Sequence, residues 1–326
     1  MMRIILTGAA GFIGFHLARR LLSDGHMVWG LDNLSPYYDV NLKRKRVALL
    51  IAEYGKAGVF DFSETDICDL ASMQLIFRET QPECVIHLAA QPGVRYSIVN
   101  PFAYQTANVD GFLNVLECCR HLPAAPRLVY ASSSSVYGGN RQLPFSEEQA
   151  VDHPVSLYAA TKRSNELMAH VYTHLYGIQT IGLRFFTVYG PWYRPDMAMY
   201  LFADAMTHGR PLKVFNYGEM RRDFTYVDDI VEGVVRCVTG DGFCPFEIFN
   251  IGNNRSERLL DVINLIAAEL NVSPKLEFLP MQDGDVPATW ANIDKLKAKT
   301  GYEPKCSINE GIPKFVDWYK AYTMLG

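Results

Sequence analysis

Tyr158 and Lys162 stand four residues apart in a stretch that reads as helix, so their side chains share one face. A phenol of ordinary pKa ~10 is a weak base at neutral pH, but a neighbouring ammonium favours phenolate and can bring it into working range. Alone, such a pair is as readily a surface contact on a helix. Its setting adds weight, because Ser132 to Ser135 close the fifth β-rich run, and open parallel sheets bind ligands at the carboxyl ends of their strands. A hydroxyl there can bridge a substrate oxygen to the tyrosine, or merely satisfy the backbone of a turn. Near the start of the chain, Thr7-Gly8-Ala9-Ala10-Gly11-Phe12-Ile13-Gly14 falls between the first strand and the first helix. Glycines in that position permit a tight turn and close approach to a pyrophosphate, which the helix N-terminus stabilises. Asp32 ends the second strand, 18 residues past Gly14. A carboxylate there accepts hydrogen bonds from the adenosine ribose and repels a 2′-phosphate, so NAD is expected in preference to NADP. The run Lys43-Arg44-Lys45-Arg46 follows, and at least three of its four members are expected on a solvated helix face.

The elements that position these residues follow from hydrophobic periodicity. Runs at 3–7, 27–31, 59–62, 84–88, 128–132 and 179–185 read as strands. Amphipathic stretches at 12–23, 101–119 and 156–176 read as helices between them. Strand and helix in alternation imply an α/β fold, a doubly wound parallel sheet covered on both faces. After Phe185 the rhythm loosens into turns such as Gly190-Pro191, Gly209-Arg210-Pro211 and Gly252-Asn253-Asn254. A smaller C-terminal lobe is expected there, with helices at 227–238 and 259–269 and with some segments packing back on the first half.

Composition sets the outer bounds. At roughly 150 residues per domain, a chain of 326 residues makes about two domains or one large α/β unit. With 49% hydrophobic and 20% charged residues, disordered and fibrous classes fall away. Lys plus Arg is 31 against 35 for Asp plus Glu, which leaves no net basic field for nucleic acid. Cys68, Cys84, Cys118, Cys119, Cys237, Cys244 and Cys306 make neither a CxxC pair nor a zinc ladder and are expected to be reduced; no metal is implied. The first strand begins too early for a signal peptide, and no apolar run reaches the ~18 residues of a membrane span. A cytoplasmic protein is expected.

Further motifs are Asp32-Asn33-Leu34, Pro36-Tyr37-Tyr38-Asp39, His87-Leu88-Ala89-Ala90-Gln91, the segment from Tyr130 to Gly138, Arg184-Phe185-Phe186-Thr187-Val188-Tyr189-Gly190-Pro191-Trp192 and Arg221-Arg222-Asp223-Phe224. Together with the glycine loop and the Tyr158 to Lys162 segment, they resemble the extended short-chain dehydrogenase/reductases, and among them the UDP-glucuronate 4-epimerases. The resemblance implies a Rossmann-type NAD-binding domain over 1–185 and a lobe over 186–326 that mainly binds a UDP-sugar. It makes Tyr158 the base, Lys162 its electrostatic partner and Ser133 the bridging hydroxyl. NAD contacts are implied at Gly8, Gly11, Phe12, Ile13, Asp32, Asn33, Lys43, Asp66, Ile67, Leu88, Ala89, Ala90, Gln91, Asn108, Phe185 and Val188, besides Tyr158 and Lys162. Substrate contacts are implied at Arg95, Ser133, Ser134, Ser135, Tyr158, Thr187, Arg194, Val214, Phe215, Arg222, Gln282 and Asp285. Gln282 stands where many relatives have arginine, and Tyr193 where glycine is expected. A homodimer is implied too, through the helices at 101–119 and 156–176.

The implied reaction oxidises the sugar at carbon 4, lets the ketone turn and reduces it on the other face. For a uronic acid that ketone is a β-keto acid, which loses carbon dioxide when the breaking bond aligns with the carbonyl π system. Arg194 and Thr187 are expected to hold the carboxylate, since an arginine fork matches it and a hydroxyl adds a donor. Related decarboxylases and dehydratases carry a glutamate at the position of Ser135, and dehydratases add an aspartate at that of Ser134. The two serines favour epimerisation over UDP-glucuronate decarboxylation, and Arg194 favours a uronate over a neutral UDP-hexose. A catalytically silent NAD-bound scaffold would have lost Tyr158, Lys162 or the serines, and all are present.

Overall fold

In the computed structural model, which describes residues 1–281 and 286–324, the apolar residues of the first strand, β1 (Arg3–Thr7), divide between two faces. Ile4 and Leu6 pack with Phe12, Phe15 and Leu21 of helix α1 (Phe12–Ser23), whereas Ile5 packs with Phe77, Phe112 and Leu116 on the opposite side. Burial on both faces is what a continuous apolar strand demands of a parallel sheet. The chain continues through β2 (Met27–Asp32), α2 (Val40–Tyr54), β3 (Phe60–Glu64), α3 (Leu70–Thr80) and β4 (Cys84–His87). Next come α4 (Tyr96–Val99), α5 (Pro101–Tyr104), α6 (Gly111–Arg120), β5 (Arg127–Ser133), α7 (Leu157–Tyr176) and β6 (Thr180–Phe185). The later elements are β7 (Thr187–Tyr189), α8 (Ala198–Thr207), β8 (Leu212–Val214), β9 (Arg221–Arg222), β10 (Phe224–Tyr226), α9 (Val227–Thr239) and β11 (Phe246–Ile251). The last are β12 (Glu257–Arg258), α10 (Leu259–Leu270), β13 (Leu276–Phe278), β14 (Ala288–Thr289), α11 (Asp294–Thr300) and α12 (Ile308–Met324).

Seven strands form one parallel sheet in the order β11-β6-β5-β4-β1-β2-β3. The order reverses between β1 and β4, so the loops that leave these strands part at the carboxyl edge and open a crevice. The expected strands are all present. The stretch at 101–119 is helical, but its middle, Gln105–Asp110, is wound as π-helix between α5 and α6. The π segment includes Asn108, which is 1% exposed.

The second half of the chain is not a separate body. β11 joins the main sheet beside β6, α9 packs on α1, and one apolar cluster runs from Ile4 of β1 to Phe315 of α12. What remains of the C-terminal lobe is small sheets, β12-β9-β14 and β13-β8, with α8, α10 and α12 around them. Among the described residues no helix is long and apolar enough to cross a membrane.

Candidate active site

β1 delivers Thr7 to a turn in which Gly8 has φ +75°, and a Cβ there would stand 2.7 Å from the Ala89 backbone nitrogen. Only glycine lets the loop after β1 lie this close to the loop after β4. α1 opens at Gly11 with no side chain capping its first turn, so the N–H groups at the positive end of the helix are left for an anion. At the end of β2, Asp32 is buried and accepts hydrogen bonds from Ala10 N at 3.2 Å and Leu34 N at 2.9 Å. Burial pushes its carboxyl upward in pKa, against the pull of Lys43 and these amides. Further out, Asn33 Nδ2 donates to Asp66 at 2.9 Å and Cys68 N donates to the other carboxylate oxygen at 2.8 Å. Burial raises Asp66, but these bonds outweigh it and leave the carboxyl below its ordinary range. Backbone donors beside an acidic strand end suit a dinucleotide.

The basic run on α2 departs from expectation, because two of its members are buried. Lys43 and Arg46 lie three residues apart and are 6% and 0% exposed, while Arg44 and Lys45 face solvent. Helical periodicity splits a continuous run of charge between two faces. Lys43 Nζ donates to Ser35 O at 2.9 Å and sits 4.7 Å from the Tyr38 ring centroid. Arg46 Nη1 donates to Ala10 O and to Tyr38 Oη, each at 2.8 Å, and Nη2 donates to Trp192 O at 2.5 Å. The guanidinium therefore ties the glycine loop to the segment carrying Arg194. His16 adds a second tie, Nε2 donating to Pro191 O at 2.9 Å, and burial lowers its pKa to about 4.

Tyr158 occupies the first turn of α7, which Ser156 caps by accepting from Ala159 N at 3.1 Å. Burial raises the pKa of the phenol, while a hydrogen bond with Ser133 and the charge of Arg194 oppose the rise. Lys162, one turn further along α7, is also buried. Its Nζ donates to Ala131 O at 2.9 Å, and burial lowers its pKa to about 8. The β5 carbonyl thus fixes the amine one helical turn from Tyr158, while Ser133 and Arg194 draw the phenol downward. Behind them Glu166 accepts from Ser132 Oγ at 2.6 Å, from Arg184 Nε at 2.8 Å and from Arg184 Nη2 at 2.9 Å. Arg184 Nη1 continues to Tyr137 Oη at 3.0 Å, which donates to Asn250 on β11 at 2.6 Å. This buried chain of polar groups sets where the end of β5, and hence Ser133, stands.

Ser133 Oγ accepts from Ser135 N at 3.1 Å and opens a short 3-10 turn over 134–137. Ser134, Ser135 and Thr187 line the same cleft as Tyr158, and Arg194 joins them. Arg194 donates through Nε to Asp196 Oδ1 at 3.0 Å and through Nη2 to Oδ2 at 2.5 Å, and Tyr37 Oη donates to Oδ2 at 3.2 Å. The cleft has a volume of ≈ 480 Å³ and runs from Asp66, past the glycine loop, to Arg194.

A model of the NAD dependent epimerase/dehydratase family matches residues 4–252, a span that includes the parallel sheet except Arg3, the glycine loop and Tyr158. The chain belongs to that family. Among its relatives are Protein CapI of Staphylococcus aureus, 47% identical over 98% of this chain and 99% of the relative, and the probable UDP-glucuronate 4-epimerase of Rhizobium meliloti, 45% identical over 98% and 97%. Among solved structures it resembles UDP-glucuronic acid 4-epimerase of Bacillus cereus in complex with UDP-glucuronic acid and NAD. That match has a TM-score of 0.91 at 34% identity and covers 98% of this chain and 100% of the other.

In this family member the cleft gathers most of the residues expected at the cofactor. Gly8, Gly11, Phe12, Ile13, Asp32, Asn33, Lys43, Asp66, Ile67, Leu88, Ala89, Ala90, Gln91, Phe185 and Val188 all line it. Asn108 stands behind the wall, where Nδ2 donates to Gln91 O and Thr161 Oγ1 at 3.1 Å each and Oδ1 accepts from Gln91 N at 2.7 Å. Arg95, Val214, Phe215 and Arg222 are not on the cleft lining. The Arg95 guanidinium instead lies 5.4 Å from the Phe215 ring centroid, and Arg222 Nη1 donates to Arg221 O at 2.8 Å. Gln282 and Asp285 lie outside the described residues. Tyr37, Asp196 and Arg46 bear on the cleft without being among the expected site residues. Asp196, two residues from Arg194, was the one with a local signal, since turns bring such pairs together.

Proposed function

We propose that this epimerase/dehydratase family member interconverts UDP-glucuronate and UDP-galacturonate by NAD-dependent 4-epimerisation. One observation carries this: Tyr158, Ser133 and the Arg194 guanidinium share a single cleft with a dinucleotide cradle, and the flanking Ser134 and Ser135 bring hydroxyls but no acid. NAD held in the cradle supplies a reversible acceptor for hydride from sugar carbon 4. Tyr158 takes the proton of the 4-hydroxyl and later returns it, and Ser133, whose hydroxyl draws the phenol pKa down, orients the sugar oxygen. Lys162 contributes a buried cation next to the phenol and a donor for the cofactor ribose. Arg194 and Thr187 take the sugar carboxylate and keep its carbon–carbon bond out of line with the ketone. Elimination of water needs a further acid or base, which serines at 134 and 135 do not supply. The names of the Rhizobium meliloti and Bacillus cereus relatives support the same substrate.

In this scheme residues 1–185 mainly hold NAD and residues 186–326 mainly hold the UDP-sugar. A neutral UDP-hexose would offer the Arg194 guanidinium no carboxylate. We also propose a homodimer through the helices at 101–119 and 156–176, because Phe102, Leu113, Leu167, Val171 and Leu175 are exposed there. Sedimentation showing only monomer at micromolar protein would overturn it. The seven cysteines are all free, in keeping with a reducing cytoplasm.

The test is to incubate the purified protein with UDP-glucuronate, without added NAD, and follow the sugar by proton NMR. UDP-galacturonate is the expected product. A pentose with release of carbon dioxide would make the protein a decarboxylase, and an unchanged sugar would remove the uronate from consideration.

A further inference from the structure

We infer that Asp196 is an internal rival of the substrate carboxylate, sharing the Arg194 guanidinium so that the grip on the sugar can be released when the ketone turns. This rests on the proposed epimerisation and adds a residue and a role to it. Asp196 engages Arg194 on two atoms, Nε at 3.0 Å and Nη2 at 2.5 Å, the geometry of the strongest carboxylate pairing. Both side chains are largely covered, at 18% and 25% exposure. The acid is itself held: Tyr37 Oη donates to it at 3.2 Å, and the Tyr37 ring packs 5.0 Å from that of Tyr96. Met197 N donates to Arg194 O at 3.2 Å and closes the turn that brings the pair together. The pair is thus complete within the chain itself, and among the described residues no hydrogen bond is made by Arg194 Nη1.

Epimerisation sets two opposing demands on this arginine. It must hold the carboxylate while hydride leaves carbon 4, and it must let go while the ring presents its other face, since the carboxyl group rides on the adjacent carbon 5. A covered guanidinium whose only partner is the sugar acid would resist release, because departure would leave a buried cation unpaired. Asp196 removes that penalty. When the sugar withdraws, Arg194 keeps a bidentate acid, and while the sugar is bound two carboxylates divide one positive charge. A neutral sugar makes no demand on the pair.

The test uses the full-length Asp196→Asn variant as purified with its cofactor, alongside the wild type and Asp196→Glu. Affinities for UDP-glucuronate and UDP-glucose are read by calorimetry, turnover by NMR, and reduced nicotinamide by its near-ultraviolet absorbance at saturating UDP-glucuronate. The expected result for Asp196→Asn is about 10-fold tighter UDP-glucuronate binding, unchanged UDP-glucose binding and about 10-fold slower turnover. Reduced nicotinamide should accumulate, because ring turning has become slow, and Asp196→Glu should restore release. Weaker binding of both sugars, or slower turnover without accumulation, would reduce Asp196 to a structural support and overturn the inference. So would wild-type behaviour of the Asn variant, or tighter binding with no loss of turnover. A wild type that leaves UDP-glucuronate unconverted would instead overturn the epimerase function itself.

Discussion

Replacing Glu166 by Ala would remove the acceptor on which the floor of the site converges. Its side chain is 0% exposed, and Arg184, which holds it in a bidentate pair, is 4% exposed. Removing one member of such a buried pair costs ~3–5 kcal/mol, because the other charge remains without compensation. The hydroxyl of Ser132, bonded to Glu166 at 2.6 Å, loses its acceptor as well, which adds ~1–3 kcal/mol. Arg163 also touches Glu166, at 3.1 Å, but it is 27% exposed and has Asp152 at 3.4 Å, so its loss is small. The sum is ~4–8 kcal/mol, against ~5–15 kcal/mol for the stability of a whole domain. Urea titration at fixed protein concentration and saturating NAD measures it. The second arm is the double variant Glu166→Met with Arg184→Met, which leaves no stranded charge and should recover most of the loss. A single-variant cost below ~1 kcal/mol, typical of a surface pair, would refute the reasoning, and so would a double variant no more stable than the single one.

Tyr158→Phe should lower turnover by about 100- to 10,000-fold while NAD stays bound, which extraction of the cofactor checks; retained activity would exclude the phenol as base. Arg194→Ala should weaken UDP-glucuronate turnover far more than UDP-glucose binding, and equal effects would remove its role at the carboxylate. Burial lowers the His87 pKa to about 3 from 6.5, so the unfolded chain takes up a proton that the folded one refuses. The associated stability is full above pH ~6.5 and is lost as pH falls toward ~3, amounting to roughly 2 kcal/mol by pH ~5. His87→Asn should therefore lose less stability between pH ~7 and ~5 than the wild type in urea titrations, whereas an identical loss would exonerate His87.

The parts of this site legible in the sequence are those built from short-range pattern. The glycine loop, Asp32 at a strand end, and Tyr158 one helical turn from Lys162 are each fixed by spacing along one or two elements. Periodicity also located the parallel strands, because residues such as Ile4, Ile5 and Leu6 are buried on both sides. What escaped depends on contacts between distant segments. Arg46 looked like part of a solvated cationic run, yet it reaches Trp192, 146 positions away. Asn108 sits in a π-helical segment that an apolar pattern does not distinguish from α-helix, and so its service to Gln91 and Thr161 was hidden. The pairing of Lys162 with a β5 carbonyl was equally hidden, since no side-chain pattern marks a backbone acceptor.

Arg46 also joins two parts of the cleft into one jaw. Because one guanidinium clamps Ala10 O and Trp192 O, the loop that cradles the dinucleotide and the loop that presents Arg194 form a single rigid mount. A change of length in either loop would pull on the other. The opposite wall, with Ser134 and Ser135 on a short turn beyond β5, has no such tether to the glycine loop among the described residues. Divergence toward new sugars, whether by natural drift or by deliberate redesign, has its open route through those two serines.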